Sequence, residues 1–225
     1  MRHQNWVIYT SSYDRGLEHL LKIWPDVIKE VPDAELHIFY GWMLFDKFYR
    51  DNPGSMAWKT KMLNMMDYKG ITDHGRVSQI ELKGWYEQCG IWAYPTHFGE
   101  ISCISAMKAQ AWGAVPVVID YAALQTTVQF GSKIGGDIYD KETKEEYKKA
   151  LIEMLNPEKQ EKIREPMMIW ARGKFAWSSV AQQWIDEFSQ DKLKDAMDVL
   201  LKEDKELAKL LPVQLQEKYA IPTTY

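Results

Sequence analysis

Short runs of apolar, β-branched and aromatic residues alternate along the chain with longer segments in which apolar residues recur every three or four positions. The short runs are typical of buried strands, and the longer segments are typical of helices that cover a sheet. The pattern predicts strands over residues 6–10, 35–40, 72–75, 91–94, 115–119 and 137–139. It predicts helices over residues 17–31, 43–68 with a break at 52–54, 78–88, between Glu100 and Gly113, and over 122–130, 141–155, 158–174, 177–188 and 191–210.

Strands separated by helices predict an α/β fold with a doubly wound, Rossmann-like parallel sheet. Residues 1–188 are expected to form this domain, and residues 189–225 a helical C-terminal extension. The extension carries an apolar stripe that needs a surface to cover, either on the same domain or on a second domain or partner subunit. In the first helix, Pro25 is expected to kink the helix or to restart it as a first-turn residue.

Composition adds limits on the class of protein. With 46 % hydrophobic and 27 % charged residues the chain is typical of a globular protein, and its net charge of −4 argues against general nucleic-acid binding. Cys89 and Cys103 have no metal-binding or redox spacing, which indicates reduced intracellular thiols. No apolar run reaches the roughly 18 to 20 residues of a membrane span, and the first residues do not resemble a signal peptide. We therefore expect a cytoplasmic protein without a membrane span.

The segment from residue 95 to residue 118 has the order strand, loop, helix, strand. In a parallel sheet this order places a helix N-terminus at the carboxyl edge of the strands, where free N–H groups bind anions. The loop ends in Glu100, which is followed by the amides of Ile101, Ser102 and Cys103. A diphosphate is the expected anion, because the neighbouring carboxylate suits a polyhydroxyl group. Taken alone, Glu100 is better explained as an ordinary acidic residue at a helix start.

A second loop, residues 11–16, is expected at the same edge of the sheet. Arg15 lies there at the mouth of the first helix, where a guanidinium can hold phosphate oxygens in a bidentate manner. The spacing is equally compatible with a surface arginine paired with Asp14 or Glu18. The residues of this loop alone do not decide between the two.

Four segments together point to a known family. Residues 11–25 read SSYDRGLEHLLKIWP, residues 32–42 read PDAELHIFYGW, residues 98–118 read FGEISCISAMKAQAWGAVPVV, and residues 175–184 read FAWSSVAQQW. Their order and spacing resemble the nucleotide-binding half of the retaining glycosyltransferases of the GT-B fold, a family that includes glycogen synthase and bacterial polysaccharide mannosyltransferases. The resemblance covers about residues 5 to 188.

The resemblance assigns roles to the residues of both loops. It implies that Arg15, with Gly16 after it, clamps the donor diphosphate. The amides of Ile101, Ser102 and Cys103 are expected to contribute to the same diphosphate site. Glu100 matches the first acid of the family's E-x7-E motif and is expected to contact the transferred sugar as a catalytic residue.

The nucleoside is expected beside the diphosphate. The second acid of the family's motif, which accepts hydrogen bonds from the ribose, is replaced here by Lys108. The base is expected near the loops after the second and third strands, where Tyr40, Trp42 or Arg76 could stack on it. An aromatic residue in such a loop is more often part of the packing. Lys108 therefore leaves the expected class of donor, a nucleoside diphosphate sugar, largely unchanged. It puts in question which nucleotide sugar of that class is the donor.

The remaining expectations concern metals and partners. His3, His19, His37 and His74 show no ligand spacing, so we predict no metal site and no cofactor apart from the nucleotide sugar as substrate. The expected partners are this nucleotide sugar and a glycan or other acceptor. The family closes two domains over the donor, so an N-terminal domain that this chain lacks is also expected.

Two functions follow from the resemblance. The first is sugar transfer from a nucleoside diphosphate sugar with retained anomeric configuration, as in polysaccharide biosynthesis. The second is a non-catalytic module that binds a nucleotide sugar or a phosphorylated glycan, which Lys108 favours. A Rossmann-type dehydrogenase or methyltransferase fits less well, because no G-x-G-x-x-G follows the first predicted strand.

Overall fold

The computed structural model describes residues 2–189 and residue 195. In this part of the chain the elements follow in the order β1 (His3–Tyr9), α1 (Leu17–Glu30), β2 (Glu35–Ile38), α2 (Met43–Tyr49), α3 (Pro53–Met66), β3 (Ile71–Asp73), α4 (Gln79–Gln88), β4 (Cys89–Tyr94), α5 (Ile104–Trp112), β5 (Val115–Ile119), α6 (Leu124–Thr127), β6 (Ser132–Ile134), α7 (Lys141–Met154), α8 (Pro157–Phe175) and α9 (Trp177–Glu187).

The strands of the described sheet are all parallel and lie in the order β3-β2-β1-β4-β5-β6. The chain begins in the middle of the sheet, builds outwards to β3 and returns to place β4 beside β1. The loops after β1 and β4 therefore leave the sheet towards opposite faces, and a crevice opens between them. The doubly wound α/β fold expected from the sequence is confirmed.

The two central apolar strands explain why the sequence pattern was clear. Every residue of β4 and of β5 is buried. Helices cover both faces of a parallel sheet, so its inner strands are continuous apolar runs rather than alternating ones. Trp92 in β4 and Trp24 in α1 are among the largest fully buried side chains.

Helix α1 runs through Pro25 without a restart. A proline inside a helix removes one backbone donor and normally weakens the helix. Here Leu20, Trp24 and Val27 are fully buried, and this burial stabilises the helix on both sides of the proline. Of the two alternatives that the sequence left open at Pro25, a restart of the helix is therefore wrong.

The last strand differs from the prediction. It is formed by Ser132–Ile134, which pairs with β5 from Val117 onwards, whereas the sequence placed it at residues 137–139. Residues 137–139 belong to a turn in which the Asp137 carboxylate accepts a hydrogen bond from the Tyr139 amide at 2.9 Å. Because β6 is short and only one of its three residues is buried, it has no strand-like pattern.

Two predicted helix boundaries are confirmed by capping hydrogen bonds. Asn52 accepts a hydrogen bond from the Ser55 amide at the predicted break, and Ser78 accepts one from the Glu81 amide. Helix α6 is much shorter than the predicted residues 122–130 and covers only Leu124–Thr127.

Arg2 fastens the start of the chain to the ends of two helices. Its guanidinium donates to the carbonyl oxygens of Cys89, Gly113 and Trp112 at 2.7, 2.9 and 2.9 Å, and to that of Tyr86 at 3.2 Å. These carbonyls lie at the C-terminal ends of α4 and α5, where a positive charge is favourable. Burial lowers the pKa of Arg2 to about 10.

The described residues fall into two compact units, of which the first ends at Gly173 and the second begins at Lys174. The predicted helix over residues 191–210 lies outside the described residues, apart from Asp195. The domain boundary expected after residue 188 therefore stays a prediction. None of the helices in the described part is long and apolar enough to cross a membrane.

Candidate functional site

The crevice between β1 and β4 holds a cavity of about 250 Å³. One wall is the loop after β1, and the other is formed by the loop after β4 and the first turn of α5. The cavity is lined by Thr10, Ser11, Ser12, Arg15, Tyr40, Glu100, Ser102, Cys103, Ile104 and Ser105. The two loops in which the sequence predicted chemistry therefore meet at one cavity.

An ion pair joins the two loops. Arg15 Nη1 lies 3.2 Å from Glu100 Oε1, and the Glu100 side chain is only 11 % exposed. The guanidinium also stacks over the Phe98 ring, with Cζ 3.9 Å from the ring centre. Arg15 is thus fixed over the cavity by a charge and by an aromatic face. It does not pair with Glu18, which binds Lys22 and Lys61 instead.

The Tyr94 hydroxyl orients the Glu100 carboxylate. It donates to Glu100 Oε1 at 2.7 Å and accepts from Ser11 Oγ at 3.2 Å. Burial raises the pKa of Tyr94 well above its usual value, so the hydroxyl stays protonated and remains a donor. The sequence analysis missed this residue, although a tyrosine that ends a buried strand at the carboxyl edge is a usable signal.

Thr10 forms the polar floor of the crevice. Its hydroxyl lies 2.6 Å from the Tyr86 hydroxyl, and it accepts a hydrogen bond from Trp92 Nε1 at 3.2 Å. These partners come from α4 and β4, so two elements hold the Thr10 side chain in place. The predicted strand over residues 6–10 included Thr10, but nothing in its pattern separated it from the core.

A second cavity of about 200 Å³ continues the first one beneath the loop after β3. The two cavities share Thr10, Tyr40 and Ser105 in their linings. Arg76 and Lys108 line the far end. We refer to the two adjoining cavities as the switch-point groove. Arg15 lies at one end of the groove, and two further cations, Arg76 and Lys108, lie at the other end.

Lys108 is not free in the groove. Its Nζ donates to Gln79 Oε1 at 2.5 Å, which links α5 to the first turn of α4. The Lys108 ammonium also lies 5.9 Å from the centre of the Trp112 ring. The side chain therefore presents a positive charge, rather than a hydrogen-bond acceptor, to the second cavity.

Two predicted residues, Gly16 and Ile101, do not line the groove. Gly16 is buried and lines neither cavity, and the Ile101 side chain is 99 % exposed. Ser102 and Cys103 do line the first cavity. Burial raises the pKa of the Cys103 thiol to about 12, so this side chain is a neutral part of the wall.

The helix after Glu100 begins later than the sequence suggested. Cys103 is its N-cap, and the first helical residue is Ile104. The first turn of this helix, whose amides have no partner within the helix, therefore begins at Ile104 rather than at Ile101. No oxygen-bearing side chain caps the helix, and the Cys103 thiol lies against the Ser105 and Ala106 amides.

Trp42 does not line the switch-point groove. Its ring packs edge-on against Tyr13, with centroids 4.7 Å apart, and against Phe45 and Trp58. These side chains line a separate cavity of about 350 Å³ behind the loop after β2. Tyr40 lines both this cavity and the groove, so only Tyr40 and Arg76 of the three expected base contacts reach the groove.

Among the described residues, no group of three or more histidine, cysteine, aspartate or glutamate side chains is arranged to hold a metal ion. Two histidines that are far apart in the sequence do meet, because His37 Nδ1 lies 3.0 Å from His74 Nε2. They lie at the ends of neighbouring strands, which sequence spacing did not reveal.

No family model matches the sequence, and no curated protein sequence matches it. Solved structures do match. The chain is similar to the pneumococcal O-GlcNAc transferase GtfA in complex with UDP and GlcNAc, with 17 % identity and a TM-score of 0.65 over 82 % of this chain and 35 % of that one.

Two further structures match over the same share of this chain. HepE of Anabaena, in complex with UDP and glucose, has 14 % identity and a TM-score of 0.63 over 82 % of this chain and 48 % of its own. Sucrose-phosphate synthase from Thermosynechococcus elongatus has 17 % identity and a TM-score of 0.65 over 82 % of this chain and 45 % of its own. The chain thus spans a third to a half of the length of these structures.

At these identities the similarity establishes the fold. The described domain has the fold of the nucleotide-binding half of GT-B glycosyltransferases, as the sequence resemblance implied.

Proposed function

We propose that this chain binds a nucleoside diphosphate sugar along the switch-point groove and takes part in transferring the sugar to an acceptor. The observation that carries the proposal is the pairing of Arg15 with Glu100, 3.2 Å apart, at one end of a groove whose other end holds Arg76 and Lys108. This arrangement offers cations for phosphates and a carboxylate for hydroxyl groups within one crevice.

The diphosphate would lie against Arg15 and the start of α5. Arginine has five N–H donors in a fixed plane, and only one guanidinium nitrogen of Arg15 is within hydrogen-bond distance of Glu100. The remaining donors can hold phosphate oxygens while the ion pair persists. The first turn of α5 adds the partial positive charge of a helix N-terminus.

Glu100 would hold the sugar. Both of its described donors, Tyr94 and Arg15, bind the same oxygen, Oε1. The other oxygen, Oε2, is then left to accept a hydrogen bond from a sugar hydroxyl. A carboxylate fixed in this way orients the sugar over the diphosphate, and positioning of this kind contributes strongly to the rate of a transfer reaction.

The nucleoside would occupy the second cavity. Tyr40 and Arg76 offer flat faces for the base, and Lys108 offers a positive charge close to the ribose and phosphates. UDP is the nucleotide in the pneumococcal and Anabaena complexes, so it is the first nucleotide to test. The proposal names the class of ligand, a nucleoside diphosphate sugar, and leaves the individual base and sugar to experiment.

The reaction would proceed with retention and without a metal ion. Arg15 and the helix N-terminus would stabilise the charge that develops on the leaving diphosphate. The acceptor, a glycan or another hydroxyl compound, would be presented by a second domain of the kind found in full-length GT-B enzymes. A cytoplasmic role in polysaccharide biosynthesis is consistent with a donor of this class.

Isothermal titration calorimetry with UDP and with uridine tests the proposal. Wild-type protein is expected to bind UDP, and Arg15→Ala is expected to weaken this binding roughly 10-fold to 100-fold, which corresponds to the loss of a charged hydrogen bond of about 1.5–3 kcal/mol. Uridine carries no phosphate, so its weaker binding is expected to be the same in both proteins.

The thermal unfolding midpoint of Arg15→Ala serves as the control for folding. Equal UDP affinity in the two proteins would remove Arg15 from the site. Absence of binding to UDP, GDP and ADP by the folded wild-type protein would contradict the proposal as a whole.

A second candidate function is a binding module without turnover. Lys108 favours it, because a lysine cannot accept the ribose hydrogen bonds that the family's second acid accepts. Incubation with radiolabelled UDP-glucose and UDP-GlcNAc separates the two functions. Release of free or transferred sugar supports the transferase, whereas tight binding with no release supports the module.

A further inference from the structure

A separate cleft opens at the other half of the carboxyl edge, beyond β4. It has a volume of about 390 Å³ and is lined mainly by Thr96, His97, Tyr121, Asp137, Ile138 and Tyr139. These residues follow β4, β5 and β6, so the cleft lies at the sheet edge where α/β proteins bind ligands. We refer to it as the edge cleft.

The edge cleft and the switch-point groove lie on either side of one loop. Thr96 and His97 face the edge cleft, and Glu100 faces the groove. The Ala123 amide, after β5, donates to the Glu100 carbonyl oxygen at 3.0 Å and ties this loop to the turn that carries Tyr121. The linings of the two have no residue in common.

The lining of the edge cleft favours an uncharged ligand over an anionic one. It contains no lysine or arginine, whereas it does contain the carboxylate of Asp137. A phosphate would meet a negative charge there without a compensating cation. The polar groups are a carboxylate, an imidazole, a threonine hydroxyl and two phenols, which are partners for neutral hydroxyl groups.

Two tyrosines give the cleft flat apolar faces. Tyr121 is 48 % exposed and Tyr139 is 61 % exposed. Large aromatic side chains at the mouth of a concave site bind ring-shaped ligands through their faces, while polar groups at their edges fix the orientation. A sugar ring offers both C–H faces and equatorial hydroxyls.

The cleft is organised before any ligand arrives. The Asp137 carboxylate accepts a hydrogen bond from the Tyr139 amide, and the Tyr139 ring packs edge-on against buried His19 with centroids 4.7 Å apart. Gly136 has φ +100°, and a Cβ there would lie 2.4 Å from Thr143 Oγ1, so the turn is fixed against α7.

The geometry points to a second ligand site in this protein: the edge cleft binds an uncharged saccharide. The sugar ring stacks on Tyr139 and Tyr121, and its hydroxyls bind the Asp137 carboxylate and His97. Binding requires no nucleotide, so this inference goes beyond the proposed function and does not depend on it.

Saturation-transfer difference NMR on the full chain without nucleotide is the test. The probes are methyl α-D-glucopyranoside, methyl α-D-mannopyranoside, methyl β-D-galactopyranoside and N-acetylglucosamine. At least one probe is expected to receive saturation from the protein. Tyr139→Ala and Tyr121→Ala are each expected to reduce its affinity roughly fivefold to tenfold, as the loss of one stacked ring implies.

The matched control is Tyr68→Ala, which removes a tyrosine of similar exposure, 43 %, just before β3 and thus at the opposite edge of the sheet. It is expected to bind like the wild type. Circular dichroism melting checks that each variant is folded. If Tyr139→Ala does not fold, the affinity of Tyr121→Ala decides the outcome.

Three results would overturn the inference. The first is that no probe receives saturation, and the second is that Tyr121→Ala and Tyr139→Ala bind as well as the Tyr68→Ala control. The third is that Arg15→Ala abolishes the signal, because the saccharide would then occupy the switch-point groove. That last result would be compatible with the proposed function but would rule out the edge cleft as the saccharide site.

Discussion

A single carboxylate oxygen organises the candidate site at the scale of residues. Glu100 Oε1 receives hydrogen bonds from Tyr94 and from Arg15, which come from a strand and from a separate loop. The interaction is partly shielded from water, because the carboxylate is nearly buried, although Arg15 is 35 % exposed. The pair therefore fixes the relative position of two loops as well as two charges.

Lys108 allows a prediction at this scale. Replacement by glutamate would place an acceptor for the ribose hydroxyls in the second cavity, so Lys108→Glu is expected to bind UDP up to about tenfold more tightly than the wild type. Calorimetry with UDP measures the change. Lys108→Met is the control, because it removes the charge without adding an acceptor.

If Lys108→Glu binds UDP no better than Lys108→Met, the ribose does not lie beside this position. In that case the second cavity is not the nucleoside site. The result would leave the role of Arg15 to be decided by its own experiment.

Sequence reasoning found the charged residues of the site but not their neutral supports. Arg15 and Glu100 stand out because the segments that contain them resemble the same family, whereas their positions at helix starts alone are equally typical of ordinary surface charges. Tyr94 and Thr10 lie within apolar runs, where a hydroxyl looks like any other core residue until its partners are known. The partners of both come from distant segments, and no local pattern carries that information.

At the scale of elements, the geometry of the site depends on how closely α1 approaches the loop after β4. Gly16, the N-cap of α1, has φ +111°, and a Cβ there would lie 2.3 Å from the Pro95 carbonyl oxygen. Only glycine fits both the backbone conformation and the contact. This contact brings Arg15 within reach of Glu100.

Gly16→Ala is accordingly expected to lower the free energy of unfolding by more than about 2 kcal/mol, because a left-handed backbone and a steric clash add together. Urea denaturation measures the loss. The matched control is Gly173→Ala in helix α8, where a Cβ meets nothing within 4 Å. Alanine there is expected to stabilise the protein by about 0.5–1 kcal/mol.

A small effect of Gly16→Ala, comparable to that of the control, would mean that the loop after β4 moves away without cost. The approach of α1 would then not be what positions Arg15.

Elements with strong periodicity were predicted well, and elements held by their neighbours were not. Strands β4 and β5 are fully buried and therefore unmistakable in the sequence. Strand β6 has a polar sequence and exists because its backbone completes the hydrogen bonds of β5. The start of α5 was placed too early, because no oxygen-bearing side chain caps it and no residue marks it.

At the scale of the whole molecule, buried histidines link stability to pH. His19 and His37 are each only 4 % exposed, and burial is the main reason that the pKa of each is lowered to about 4. His19 Nδ1 and His37 Nε2 have no hydrogen-bond partner among the described residues. Glu35 Oε2 lies 3.6 Å from His37 Nε2, and His74 binds the other nitrogen of that ring.

The sign of the effect follows from the lowered values. The unfolded chain takes up a proton at each histidine near pH 6.5, while the folded protein does so only near pH 4, so stability is full above pH 6.5 and is lost as the pH falls. Each histidine is expected to lower the free energy of unfolding by about 1 kcal/mol when the pH falls from 7.5 to 5.5. Urea midpoints at the two pH values measure the sum of these losses, to which His74 also contributes because burial lowers its pKa.

His37→Gln and His19→Gln are the variants for this prediction. Each is expected to make the dependence on pH shallower by the share of one histidine. A wild-type protein equally stable at pH 7.5 and 5.5 would contradict the assignment. Glu18, whose pKa is lowered to about 2, loses its charge at a lower pH and does not interfere.

The fold class could be predicted for the whole molecule because strand and helix signals alternate in a fixed order. The edge cleft could not, since it is formed by turns after three strands, one of which was misplaced. Its residues look like ordinary loop residues in the sequence. Only the order of the strands brings them to one edge.

The grip of Arg2 on four carbonyl oxygens has a practical consequence for anyone who handles this protein. A change that removes the Arg2 guanidinium would strip the donor from carbonyls at the far ends of α4 and α5. Those ends lie opposite the crevice, so the damage would register first as a lower melting temperature. Engineered variants of this protein are therefore better made with Arg2 left unchanged.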